Sequence, residues 1–192
     1  QRALTDADMQ PVRQALELML KHHEPYPAMV VDRAWNLVMA NTALTRVFSL
    51  LGDTSAMWAR VCPDGQPTLR KLTFHPEGLR PYLRNFEEMG APLLARTARE
   101  ALEHPQINAV LEEVLRYPDI PSRWRKLELH ASLPVLPAHF EVNGTSLKLF
   151  TMLSTFGTPQ DLTTDELRVE LSFPADAASE QLLRALAASA VG

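Results

Sequence analysis

The sequence predicts a mixed α/β (α+β) fold, with a five-stranded antiparallel sheet, helices over one face of it, and a further helix at each end. Three observations predict this. Two short apolar runs precede residue 41, apolar residues recur at helical spacing between residues 75 and 116, and strand-like apolar runs follow residue 138. With 192 residues, 46% of them hydrophobic and 22% charged, the chain is typical of one soluble globular domain.

The N-terminal part predicts a helix followed by a hairpin. Apolar residues fall on one face of Asp8–His23, and Pro25 ends this helix because proline has no N–H to donate. Ala28–Val31 and Trp35–Ala40 are predicted strands, and Asn41 is a suitable N-cap for the helix that follows. We therefore divide the chain into a linker helix over residues 1–24 and a domain over residues 25–192.

The middle of the chain predicts a helical block. Leu69–Phe74 is predicted as a short strand or a linker, and the helical spacing begins after His75. We expect Gly90 and Pro92 to break or kink it, because both residues are unfavourable inside a helix. A further helix is predicted over Gln106–Arg116.

The last third of the chain predicts three strands and a helix. Asn143-Gly144 is a strong hairpin signal that leads into a long strand, Thr145–Phe156. The next strand, Glu166–Phe173, alternates apolar and polar residues cleanly, which predicts one solvated face. Two strands, a helical block and three strands are the element order of PAS domains. In such a fold we expect a small-ligand cavity where sheet and helices diverge.

Charge and cysteine content exclude several classes of function. The net charge of −4 provides no general basic field for nucleic acid or an anionic membrane. The single cysteine, Cys62, excludes an internal disulfide and fits a cytoplasmic protein. No apolar stretch approaches the roughly 20 residues of a membrane helix. Because the chain opens at Gln1 without a signal-peptide pattern, we expect it to be the C-terminal part of a longer protein.

No catalytic or cofactor motif is found. The sequence contains no G-x-S-x-G, no P-loop and no G-x-G-x-x-G, and the six histidines show no metal-ligand spacing. We therefore expect no catalytic residue, no metal and no cofactor. The basic and aromatic stretch Arg123–Lys126 could touch phosphate, but a tryptophan packed inward is the simpler interpretation.

Three stretches resemble the ligand-binding domain of MmyB-like, XRE-type helix-turn-helix transcription regulators. They are Y-P-A-M-V-V-D-R-A-W-N-L-V-M-A-N-T-A-L (Tyr26–Leu44), Phe74–Ala101 and L-F-T-M-L-S-T-F-G-T-P-Q-D-L-T-T-D-E-L-R-V-E-L-S-F-P-A-D (Leu149–Asp176). The resemblance implies a PAS-like fold, an upstream DNA-binding domain outside this sequence, and a pocket for a small apolar, fatty-acid-like molecule. Gly90 and Pro92 depart from a helix that we expect to be continuous in the family.

The candidate ligand contacts form a polar pair and an apolar set. Asn85 and Arg96 are 11 residues apart, so an unbroken helix would place them on one face, where they could bind a carboxylate; both could instead lie on the surface or pin helix to sheet. Flexible and aromatic side chains that could line a lipid-shaped cavity, or simply form core, are Phe86, Met89, Leu93, Phe150, Met152 and Phe156.

We interpret the chain as a sensor domain whose ligand shifts a DNA-binding part through the helix Asp8–His23, with a homodimer as the expected assembly. One alternative is a dimerisation or interaction module with a filled core and no ligand. Another is an enzyme that acts on a lipid, which is disfavoured because no nucleophile-and-base arrangement is found.

Overall fold

A computed structural model describes residues 7–125, 137–156 and 167–189. The described residues form seven α-helices, which are α1 (Gln10–His22), α2 (Thr42–Ser49), α3 (Thr54–Val61), α4 (Leu69–Phe74), α5 (Phe86–Ala101), α6 (Pro105–Val114) and α7 (Ala177–Ser189). They also form five strands, which are β1 (Ala28–Val31), β2 (Leu37–Ala40), β3 (Ala138–Val142), β4 (Thr145–Ser154) and β5 (Arg168–Pro174). Every helix in these ranges is too short or too polar to cross a bilayer.

The strands form one five-stranded sheet in the order β2-β1-β5-β4-β3, which confirms the predicted α+β class and its PAS-like element order. β1 pairs antiparallel with both β2 and β5, and Val30 lies opposite Met39 on one side and Val169 on the other. β4 also pairs antiparallel with β5. Asn143 and Gly144 both have positive φ, +50° and +78°, as the predicted tight hairpin turn requires.

The chain divides into two compact units, residues 1–52 with 149–192, and residues 53–148. In the first unit, Leu16 and Leu20 of α1 pack against Val30 and Val169 of the sheet. Opposed residues share a face of an antiparallel sheet, and successive residues alternate between faces. Val30, Val169, Leu171 and Phe173 therefore lie on what we call the α1 face. The division into a linker helix and a domain at residue 24 stays a prediction.

In the second unit, the helices surround an aromatic and aliphatic core. Its buried residues are Phe74, Leu94, Leu111, Val114, Ile120 and Trp124. The prediction that Leu69–Phe74 is a strand or a linker is wrong, since this segment is helix α4. Leu69 and Leu72 are both buried there, three residues apart as one helical face requires.

Of the break or kink expected at Gly90 and Pro92, the break is wrong, because α5 runs through both residues, and the kink stays a prediction. Pro92 is exposed, and so is Glu88, the residue four positions earlier whose carbonyl has no N–H of Pro92 to accept. Gly90 is buried under the ring of Trp124, where no Cβ would fit. The glycine serves close packing rather than helix termination, and the inward position of Trp124 confirms the simpler interpretation of the basic stretch.

The predicted solvated face of the last strand is wrong as well. Leu167 and Val169 are buried as expected, but Ser172 is only 5% exposed and Arg168 and Glu170 are half-buried. The alternation of residue types is present, and both faces of the strand are nevertheless covered. Glu166 lies outside the described residues.

Candidate ligand-binding residues

Asn85 connects the start of α5 to the edge strand β3. Its side-chain Nδ2 donates to the carbonyl of Pro137 at 2.8 Å, and its Oδ1 accepts from the main-chain N–H of His139 at 3.0 Å. Beside it, the N–H of Arg84 donates to the carbonyl of His139 at 2.8 Å, and Leu83 forms a β-bridge with Phe140. Leu83 therefore forms an isolated bridge to β3, and the Asn85 amide adds two hydrogen bonds to main-chain groups at the start of that strand.

Arg96 lies on the half-buried side of α5. Its Nε donates to Oε1 of Glu100 at 3.1 Å, one helical turn away, and its side chain is 39% exposed. Asn85 precedes the first residue of the helix and binds β3. The two polar candidates thus bind different partners, although the helix between them is continuous.

The apolar candidates on α5 border the core of the second unit. Phe86 meets the rings of Phe74 and Trp124 at centroid distances of 5.7 Å in both cases. Leu93 packs against the same core, and Met89 is half-buried. These side chains lie along one helix, and Phe86 and Leu93 form part of its contact with the packed core.

The apolar candidates on and beyond β4 belong to the first unit. Phe150 is paired with Phe173 across β4 and β5, and their rings stack with centroids 5.3 Å apart. Met152 lies opposite Leu171, which places it on the α1 face, and it is 57% exposed. Phe156 packs against the cluster that α1 forms with the sheet. All three therefore associate with the α1 side of the sheet.

An open groove of about 700 Å³ lies within the first unit and involves none of the eight predicted residues. Lys21 of α1, Met39 of β2 and Ala187 of α7 are among its lining residues. On the same lining, Nη1 of Arg46 donates to the carboxylate of Glu24 at 2.9 Å. The other carboxylate oxygen of Glu24 accepts from the N–H of Ala43, which fixes the start of α2.

Comparison with known proteins decides the family. The family model for the MmyB-like transcription regulator ligand binding domain matches residues 12–186. The chain belongs to this family. A solved structure, the PAS domain of BvgS from Bordetella pertussis, is 11% identical, with a TM-score of 0.36 over 93% of this chain and 99% of that one. None of the curated proteins compared with the chain matches it.

In this MmyB-like domain, sequence reasoning missed a pair between a half-buried arginine and a buried tryptophan. The guanidinium carbon of Arg168 lies 5.1 Å from the ring centroid of Trp35. Trp35 is 1% exposed and has a φ of +65°, so it belongs to the turn before β2 rather than to the strand. Both carboxylate oxygens of Asp32 accept from Asn36 at 2.9 Å and lock this turn. A tryptophan directly after a turn signal was the available clue.

Cys62 of this domain is a buried thiol. It is 5% exposed, and burial raises its pKa, while a hydrogen bond from the backbone of Thr68 acts in the opposite direction. A raised pKa keeps the sulfur in its thiol form at neutral pH, where it is a poor nucleophile. The environment of Cys62 therefore matches a packed core residue.

Proposed function

We propose that this chain is the ligand-sensing part of a cytoplasmic helix-turn-helix transcription regulator, and that it binds a fatty-acid-like molecule without catalysing a reaction. The observation that carries the proposal is the family match, since it covers residues 12–186 with a domain described as ligand-binding. DNA binding would be the task of a domain outside this sequence.

Phe86, Met89 and Leu93 are our proposed contacts for the apolar tail on α5. Their support is that flexible and aromatic side chains adapt to an alkyl chain, and that Met89 keeps part of its surface outside the packed core. We propose a second group of contacts for the apolar tail on the sheet side, which consists of Phe150, Met152 and Phe156. This group is tested separately. For the carboxylate head group, the candidates that the sequence provides are Asn85 and Arg96.

Transmission to the DNA-binding part would use α1. Leu16 and Leu20 pack on the sheet, and Nε2 of His23 lies 2.7 Å from the carbonyl of Ser172 in β5. A ligand that favours one arrangement of this sheet would shift the population of α1 positions, because it can act only through its differential affinity for two states. We propose a homodimer as the acting assembly.

The experiment that tests the ligand class is a calorimetric titration with saturated fatty acids of increasing length. Each buried methylene should contribute about 0.8 kcal/mol before ordering costs, so affinity should rise with length, reach a maximum and then fall. Leu93→Trp should move the maximum to shorter acids, and Met152→Trp tests the strand group in the same way. Affinity that ignores chain length would contradict the proposal.

The second candidate function is a dimerisation module with a filled core. It is favoured by the tight packing of Phe86 between aromatic rings and by the stacked Phe150–Phe173 pair. Native mass spectrometry separates the two functions. A lipid retained by the purified protein supports the sensor, whereas a stable dimer that binds none of the fatty acids supports the module.

A further inference from the structure

We infer that the open groove of the first unit is a binding site for a small amphipathic carboxylate. Its charged end would lie at Lys21 and Arg46, and its apolar end over Leu20 and Met39, all of which line the groove. The groove has a volume of about 700 Å³, within the range of about 300–1,000 Å³ that is usual for small-molecule sites. The site is separate from the contacts that we propose for the fatty-acid-like ligand and does not depend on them.

The ion pairs around the groove leave one positive charge without a partner. Among the lining residues, the carboxylate of Glu24 binds Nη1 of Arg46 at 2.9 Å. The carboxylate of Glu17 binds Nε of Arg13, also at 2.9 Å. Lys21 lies between Glu17 and Glu24 in the sequence, and the described residues show no ion pair for it. Three cations therefore accompany two carboxylates, which favours an occupant with a single negative charge.

Arg46 retains a donor that the fold does not use. Its Nε is buried, and no hydrogen-bond partner for it is seen within residues 7–125, 137–156 and 167–189. A buried donor without a partner is costly, so an acceptor at this position is favoured. Glu24 holds the guanidinium through Nη1, and the side chain is 23% exposed, so a small rotation would present Nε to a carboxylate in the groove. Lys21 adds donors on a flexible stem, which can follow the bound group.

The rest of the lining suits an apolar group and is held in place. Leu20 is 4% exposed and Met39 is half-buried, and an unbranched methionine adapts to the shape of an alkyl chain. Nδ2 of Asn41 donates to the carbonyl of Leu20 at 3.3 Å and to that of Tyr26 at 2.8 Å, which fastens the end of α1 to the start of α2. A site that is already formed loses less conformational entropy on binding.

The test compares octanoate, octanol and octylamine, which share one alkyl chain and differ in charge. Each is titrated into ¹⁵N-labelled protein and followed by NMR, which gives the affinity and locates the amides that respond. We expect octanoate to bind most tightly and octylamine most weakly, with the largest changes in the amides of the groove lining.

Two variants test the charged end of the site. Lys21→Gln should weaken octanoate binding about two- to fivefold and leave octanol unchanged, because a charge pair open to solvent contributes little. Arg46→Lys keeps the charge and removes Nε, so its octanoate affinity should fall several-fold. Arg116→Gln is the charge control, since Arg116 is exposed in the second unit, and it should change neither affinity.

A further pair of variants tests the groove itself. Ala187→Trp fills the groove, because Ala187 is part of its lining, and should weaken octanoate and octanol alike by about tenfold or more. Ala188→Trp is the matched control, since the next residue of α7 is exposed and outside the lining. Near-UV circular dichroism checks the folding of each variant. If Ala187→Trp does not fold, Thr42→Trp takes its place, because Thr42 is an exposed residue of the same lining.

Three results would overturn the inference and leave the proposed function standing. They are an octanoate response confined to amides of the second unit, octanoate binding that survives a tryptophan in the groove, and octanoate that binds no more tightly than octanol. The proposed function fails in a different way. In that case octanoate still binds in the groove, whereas the affinity for longer fatty acids ignores chain length.

Discussion

Gly90 of α5 lies directly beneath the indole of Trp124. A Cβ on residue 90 would be 2.5 Å from Cζ3 and 2.9 Å from Cη2 of that ring, closer than real Cβ contacts occur. The helix therefore tolerates glycine, a residue that costs about 1 kcal/mol relative to alanine in a helix interior, because the ring occupies the vacant space.

Gly90→Ala should destabilise the protein even though alanine is the better helix former. Overpacking costs about 1–3 kcal/mol, which exceeds the propensity gain of about 1 kcal/mol. Urea denaturation followed by circular dichroism measures the change. In a Trp124→Leu background the steric conflict is absent, so the same substitution should become neutral or stabilising. Equal effects in both backgrounds would show that the ring is not the reason for the glycine.

Asn85→Ala should also destabilise the protein, by about 1–3 kcal/mol. The substitution removes two side-chain hydrogen bonds, one to the carbonyl of Pro137 just before β3 and one from the N–H of His139 in β3. Asn108→Ala on the exposed side of α6 is the control, where alanine should be neutral or slightly favourable. Thermal melts of the two variants give the comparison, and a silent Asn85→Ala would contradict a stabilising role for the two Asn85 hydrogen bonds.

The outcome for Asn85 shows what sequence reasoning could and could not predict. Local signals were sufficient for the hairpin turn at Asn143-Gly144 and for the N-cap at Asn41, whose Oδ1 accepts from the N–H of Leu44, because neighbours in sequence determine both. The partners of Asn85 are 52 and 54 residues away. No periodicity within a segment contains that information.

The same limit explains the mistakes at Gly90 and Arg168. Propensity alone disfavours Gly90 inside a helix, but the close packing of Trp124 leaves no room for a side chain there. Alternation assigned Arg168 to a solvated face because it reports which residues share a face, and it does not report what covers that face. Arg168 packs against Trp35. This contact depends on the turn that Asp32 and Asn36 form in the folded chain, so the strand pattern alone could not predict it.

Val169→Asp should unfold the domain or destabilise it by several kcal/mol. Val169 is 4% exposed in the cluster between α1 and the sheet, where an unpaired carboxylate is costly. Met152→Asp is the matched control on the same face, since Met152 is 57% exposed; we expect a change within about 1 kcal/mol. Chemical denaturation of both variants tests whether burial on this face decides the cost. Similar losses for the two would contradict the difference in burial between Val169 and Met152.

Glu180 of α7 should make stability depend on pH in the acid range. The hydrogen bond from the Arg184 guanidinium, and after it the one from the Tyr26 hydroxyl at 2.9 Å, lower the pKa of this carboxyl from 4.5. Because the folded pKa is lowered, the stabilising contribution is present above about pH 4.5 and is lost as the pH falls through the folded pKa. The contribution is small, since the group is exposed to solvent screening.

Glu180→Gln should therefore lower the melting temperature at neutral pH, and the difference from wild type should shrink as the pH is taken below 4.5. Differential scanning calorimetry over this range measures it. Glu17→Gln is the control, because Glu17 forms a similar pair with Arg13 one turn away on α1, and no tyrosine among the described residues is seen to join that pair. A difference between wild type and Glu180→Gln that stays constant down to the lowest pH would mean that the side chain acts through packing, not through its charge.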